Sequence, residues 1–74
     1  MGGDRAVDVF RFIVDSVPFE GQTFVRVRCP DIDDFDVVEA TREEAIAVAT
    51  SLVEFLRRFS GNTDPFRTEI YDAV

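Results

Sequence analysis

Along the chain, apolar residues recur at every second position, then at every third or fourth, then at every second again. The first alternating stretch covers residues 7–14, with Phe10, Phe12 and Val14 on one side and Val9, Arg11 and Ile13 on the other. Both sides carry apolar groups, which predicts a central strand or one covered on both sides. Ser16-Val17-Pro18-Phe19-Glu20-Gly21 then supplies turn chemistry, because Pro18 fixes one φ and Gly21 tolerates a positive one. Residues 22–29 read as a second strand, with Thr23, Val25, Val27 and Cys29 set against Phe24, Arg26 and Arg28. The short turn before it predicts antiparallel pairing with the first strand. Pro30 removes a ladder donor and ends it. Asp31-Ile32-Asp33-Asp34 is a polar connection with Ile32 as its apolar anchor, and residues 35–39 form a short third strand around Val37 and Val38.

The period then changes. Ala45, Ala49, Leu52, Leu56 and Phe59 recur at three- and four-residue spacing, widened by Ile46, Val48, Val53 and Phe55, which predicts an amphipathic helix. Thr41-Arg42-Glu43-Glu44 is a capping box at its start. Glu43 and Glu44 suit the positive end of the helix dipole, Arg57 and Arg58 the negative end, and Gly61 is a natural residue beyond the C-cap. A helix of about 18 residues spans roughly 27 Å, close to the length of an eight-residue strand at about 3.3 Å per residue, so it can lie along the sheet. After the loop Asn62-Thr63-Asp64-Pro65, a last strand covers residues 66–71 or slightly more, with Phe66, Thr68 and Ile70 alternating with Arg67, Glu69 and Tyr71.

The expectation is an α+β domain of order β-β-β-α-β: an antiparallel sheet with one amphipathic helix packed on one face. One domain accounts for residues 1–74, with an ordered core at about 7–72. One helix shields one face of the sheet. Phe24, Arg26 and Arg28 lie on the other face, where a second polypeptide is expected to cover the apolar groups. Chains of this size bury only roughly 60% of their unfolded surface and often gain stability from disulfides, metals or self-association. Cys29 is the single cysteine and histidine is absent, which leaves a homo-oligomer, a dimer or higher, as the expected route.

Charge narrows the partners. The formal charge is −7 and arginine is the only basic residue type. Such a surface repels nucleic-acid phosphates and anionic lipid and favours a basic protein. No stretch reaches the ~20 apolar residues needed to cross a bilayer, and residues 1–6 lack the apolar segment of a signal peptide. Ala6 occupies the place where a myristoylation site wants Ser or Thr. One unpaired cysteine suits a reducing compartment, and the cytoplasm is expected.

Little in the chain points to catalysis. Asp31, Asp33, Asp34 and Asp36 form an acidic cluster, but a calcium loop counted from Asp31 places Phe35 at the fifth position, Asp36 where glycine belongs and Arg42 at the twelfth. The cluster reads as a solvated loop, with no metal and no cofactor expected. Ser16, Ser51 and Ser60 have neither histidine nor lysine to activate them. Cys29 shares a strand face with Val25 and Val27 and reads as a small buried hydrophobe. Gly21, Phe24 and Val25 match part of an RNA-binding strand motif, but Glu20, Gln22 and Val27 occupy its basic and aromatic positions. Arg26 and Arg28 share a face and are expected to pair with carboxylates across strands. The expectation is a protein that is not an enzyme.

The order of features also carries a family likeness. Phe10-Arg11-Phe12-Ile13-Val14 is followed by the Gly21 turn, Phe24-Val25-Arg26-Val27, Pro30-Asp31-Ile32, a short strand, and Thr41-Arg42-Glu43-Glu44-Ala45. This resembles the HicB-like antitoxin domain: strand, glycine turn, strand, a Pro-Asp-Leu-like step, then a Gly-x-Thr-x-x-Glu-Ala helix start. The likeness covers residues 9–59. It implies a partial ribonuclease H-like sheet without that enzyme's active site, self-association, and binding to a small basic RNA-cleaving toxin. On that analogy Asp31, Asp33, Asp34 and Asp36 are acidic candidates near the partner. Ala40 stands where the family has glycine or another turn residue, and Asp33-Asp34 replaces its small-residue turn. No helix-turn-helix or ribbon-helix-helix pattern follows the last strand, so operator binding is not expected. The alternative is a stand-alone homo-oligomeric structural or assembly domain on the same scaffold, which a basic partner would distinguish.

Overall fold

In the computed structural model, which describes residues 7–73, the chain forms β1 (Asp8–Phe19), β2 (Gln22–Arg28), β3 (Asp36–Glu39), α1 (Arg42–Phe59) and β4 (Phe66–Asp72). The features read in residues 1–6 lie outside the described residues. The architecture is α+β, one helix packed on a four-stranded sheet of order β3-β2-β1-β4. β1 is a central strand, as its two apolar faces predict.

The sheet is mixed rather than wholly antiparallel. β1–β2 and β2–β3 are antiparallel, whereas β1 and β4 run parallel from Asp8↔Phe66 to Val14↔Asp72. The helix explains the departure. β3 is antiparallel to β2 and so runs in the direction of β1; α1 carries the chain back, and β4 must then leave in the direction that β3 took.

β1 is also longer than its alternation suggested, because it continues through Pro18 to Phe19. The turn proper is Glu20-Gly21, with φ of 49° and 79° respectively, the two left-handed residues of a type I′ hairpin. Such a turn makes Phe19↔Gln22 a hydrogen-bonded pair, so Pro18↔Thr23 is a non-hydrogen-bonded one. The missing Pro18 N–H therefore points away from β2, toward a side where β4 has already ended opposite Val14.

The core lies between the sheet and one side of the helix. Phe12, Val14, Val27, Cys29, Phe35 and Val37 meet Ala45, Ala49 and Val53, all buried. Phe12 stacks on Phe35 with ring centres 5.9 Å apart, and α1 approaches β2 and β3 most closely. At the helix start Thr41 Oγ1 accepts the Glu44 amide at 3.2 Å and donates to Glu44 Oε1 at 3.0 Å. The Glu44 side chain thus meets the hydroxyl rather than the Thr41 amide. At the other end Asn62 N–H donates to Arg57 O and Gly61 N–H to Arg58 O, at 2.8 and 2.9 Å. This is a Schellman motif, closed by Gly61 at φ 83°.

Candidate protein-interaction surface

Strand alternation sends Ile13, Asp15, Val17 and Phe19 of β1, with Phe24, Arg26 and Arg28 of β2, to the face opposite α1. Its middle is charged. Arg26 grips Asp15 with Nε at 3.0 Å and Nη2 at 2.6 Å, and Arg28 Nη2 reaches the same carboxylate at 3.4 Å. The Arg26 hydrogen bonds hold the Asp15 carboxyl below the ordinary carboxylate range. The cross-strand pairing expected of Arg26 and Arg28 is therefore present. Toward the hairpin this face turns largely apolar: Val17, Phe19, Phe24, Val38 and Ala40, with Glu39, line a shallow depression of about 560 Å³. Phe19 and Phe24 lie 6.4 Å apart there.

The four aspartates divide into two groups. Asp31 turns inward to the sheet. Its Oδ2 accepts the Arg11 amide at 2.9 Å and its Oδ1 accepts Arg11 Nη2 at 2.8 Å. The Arg11 side chain is the main reason the Asp31 carboxyl sits below its ordinary value. Asp33, Asp34 and Asp36 instead line an open depression of about 520 Å³ with Ile13, Ile32 and Arg28. Asp34 adopts φ 60°, which aspartate tolerates better than most residues. Among the described residues, no three His, Cys, Asp or Glu side chains converge as a metal site would require.

Arginine placement explains where the negative charge collects. Arg11 pairs with Asp31, Arg26 and Arg28 with Asp15, Arg42 with Asp72, Arg57 with Asp8 and Arg58 with Glu54. Arg57 is held further by the Phe10 and Phe66 rings, 5.5 and 5.2 Å from its guanidinium carbon. Asp33, Asp34, Asp36, Glu39 and Glu43 form no ion pair with another described residue. Segment 33–44, which contains β3 and the helix start, therefore carries these five carboxylates outside any ion pair of the described residues, with Asp36 set across the ladder from Arg28 and within the field of Arg26.

An apolar ridge adjoins it that the helical period alone misplaced. Phe59, Val48 and Phe55 belong to the apolar arc predicted to face the core, yet they are 82%, 41% and 61% exposed. Phe55 and Phe59 stack on each other, ring centres 6.2 Å apart. Phe59 also shares a groove of about 370 Å³ with Phe10, Ile32 and Leu56. Ile32 immediately precedes Asp33 and Asp34, so the aromatic ridge and the acidic loop are neighbours. The signal was in the sequence: the apolar arc is wider than one sheet face can cover.

Cys29 is buried, and burial raises its thiol above the ordinary cysteine value, which keeps it protonated and unreactive. No helix among the described residues is long and apolar enough to cross a membrane. No family model matches the chain, no curated protein matches it, and no solved structure matches it.

Proposed function

We propose that this chain is a non-catalytic protein-interaction module of the HicB-like antitoxin kind, whose acidic β3 side binds and masks a small basic protein. The observation that carries the reading is the charge distribution. Six arginines are held in ion pairs within the described chain, while segment 33–44 keeps carboxylates that lack such partners. An edge rich in carboxylates outside ion pairs steers a cationic partner and selects against phosphate backbones. The adjoining Phe55–Phe59 ridge supplies the aromatic contact area that binding hot spots favour. Asp33, Asp34 and Asp36 are the docking carboxylates in this reading, and Asp31 supports them from below by fixing the loop to β1. The reduced, buried Cys29 suits a cytoplasmic setting.

Co-expression with the product of the adjoining open reading frame tests the proposal. A small basic product should co-purify as a complex that salt weakens, and D33R/D34R should loosen it. An adjoining product that is small and basic yet forms no complex would overturn the reading, as would a complex indifferent to both salt and charge reversal.

A further inference from the structure

We infer that the outer edge of β4 is a self-association surface, on which a second copy of this chain pairs antiparallel about Thr68 to join two sheets into one. The inference does not depend on the basic partner proposed above.

The backbone supplies the first argument. Ala73 N–H donates to Val14 O at 2.8 Å beside the parallel pair Val14↔Asp72. In a parallel ladder this phase turns the odd-numbered residues of β4 toward β1. Phe66, Thr68 and Ile70 therefore direct N–H and C=O outward, on a strand that ends the sheet. β4 is seven residues long and has no proline within it, so none of the usual devices for blunting an edge by proline, lysine or short length is present. The opposite edge differs. β3 is four residues long and bounded by Asp36 and Glu39, which would repel a like strand.

Charge complementarity supplies the second argument and sets the register. Arg67 forms no ion pair with another described residue, and neither does Glu69, which accepts a hydrogen bond from the Tyr71 hydroxyl of its own strand at 2.7 Å. Antiparallel pairing of two β4 strands with Thr68 opposite Thr68 places each Arg67 directly across from the other copy's Glu69. The same register sets Phe66 opposite Ile70 on the helix-bearing face, where both are only half-buried in the single chain. Thr68 and the Phe66–Ile70 pairs occupy hydrogen-bonded positions, and the charged pairs occupy the closer non-hydrogen-bonded ones. A shift of one residue brings Glu69 opposite Thr68, and a shift of two residues in the pairing sum brings Glu69 opposite Glu69. Only the Thr68-centred arrangement satisfies both strands' charges twice. Because the interface is isologous, it closes at a dimer.

Sedimentation equilibrium and hydrogen exchange on the intact chain test this. The wild type should show a particle of twice the 8.4 kDa chain mass, with slow exchange at the Phe66, Thr68 and Ile70 amides. R67E should raise the dimer dissociation constant by about tenfold or more, because like charges then oppose each other twice. R67E/E69R should restore it. T68P should abolish the dimer while circular dichroism stays native, since the Thr68 N–H is not used by the β1–β4 ladder. A wild type that stays at single-chain mass at every concentration, or a dimer that R67E leaves unchanged, would overturn the inference. A basic-protein complex with R67E intact would leave the acidic-edge proposal standing in either case.

Discussion

The Asp31 carboxylate accepts the Arg11 amide at the point where the chain has left β2, so it stands in for the acceptor that a continued ladder would have provided. At the middle of the open face, Asp15 is similarly committed to Arg26. Both carboxyl groups are held below the ordinary value by these hydrogen bonds. A folded-state pKa below the unfolded one favours folding above the ordinary carboxylate range, and that contribution is lost as pH falls through the unfolded and then the folded value. Melting temperature should therefore drop on acidification below the ordinary carboxylate range. D31N and D15N should each melt lower than wild type near neutral pH, with the gap narrowing in acid; a constant gap would contradict the linkage. Cys29 makes a second residue-scale case. Its thiol should react slowly with a disulfide reagent in the native protein and at the rate of a free thiol in denaturant. Phe12 makes a third: it is fully buried against Phe35. F12A should cost about 3–5 kcal/mol in chemical denaturation, a quarter or more of the roughly 4–11 kcal/mol expected of a domain this size.

At the scale of elements, the two left-handed turns act in opposite senses. Gly61 closes the Schellman motif at φ 83°, and G61A should destabilise by about 1–2 kcal/mol because a Cβ is disfavoured there. Nothing lies within 4 Å of the position a Cβ would take, so the cost is conformational and not a clash. Glu20 is the reverse. It occupies a left-handed site at φ 49° for which asparagine is better suited. E20N should stabilise by up to about 1 kcal/mol, because asparagine visits the left-handed region at lower cost than glutamate, a rise of a few degrees in melting temperature. The elements themselves were legible in the sequence, since the Thr41 cap, the Gly61 stop and the change of period are all local signals. The parallel β1–β4 pairing was not local: it follows from counting strand directions through the helix. Pro18 hid the end of β1 because proline normally closes a strand, and only the hairpin phase shows that its missing N–H is harmless. The Arg11–Asp31 clamp joins residues 20 apart in sequence and depends on the same register. Of the candidate site, the acidic loop was visible as composition. The withdrawal of Asp31 from it, and the exposure of Phe55 and Phe59, required knowing which part of the helix the sheet covers.

For the whole molecule, what matters is that its surfaces are separable. The acidic segment contains β3, the unblunted edge is β4, and two strands stand between them; the aromatic ridge lies on α1, where Phe59 shares its groove with Phe10 and Ile32. A residue that serves only a partner should be removable without loss of the fold. Phe55 and Phe59 meet that condition, because most of each side chain already faces water. F55S/F59S should therefore change unfolding free energy by no more than about 0.5 kcal/mol per site. The same substitutions should weaken the basic-protein complex by about 2 kcal/mol, some thirtyfold in dissociation constant, if the stacked pair is a hot spot. They should leave sedimentation of the free protein unchanged, whereas T68P should do the converse. A large loss of stability in F55S/F59S would mean that these rings complete the fold, and the ridge would then have no part in recognition.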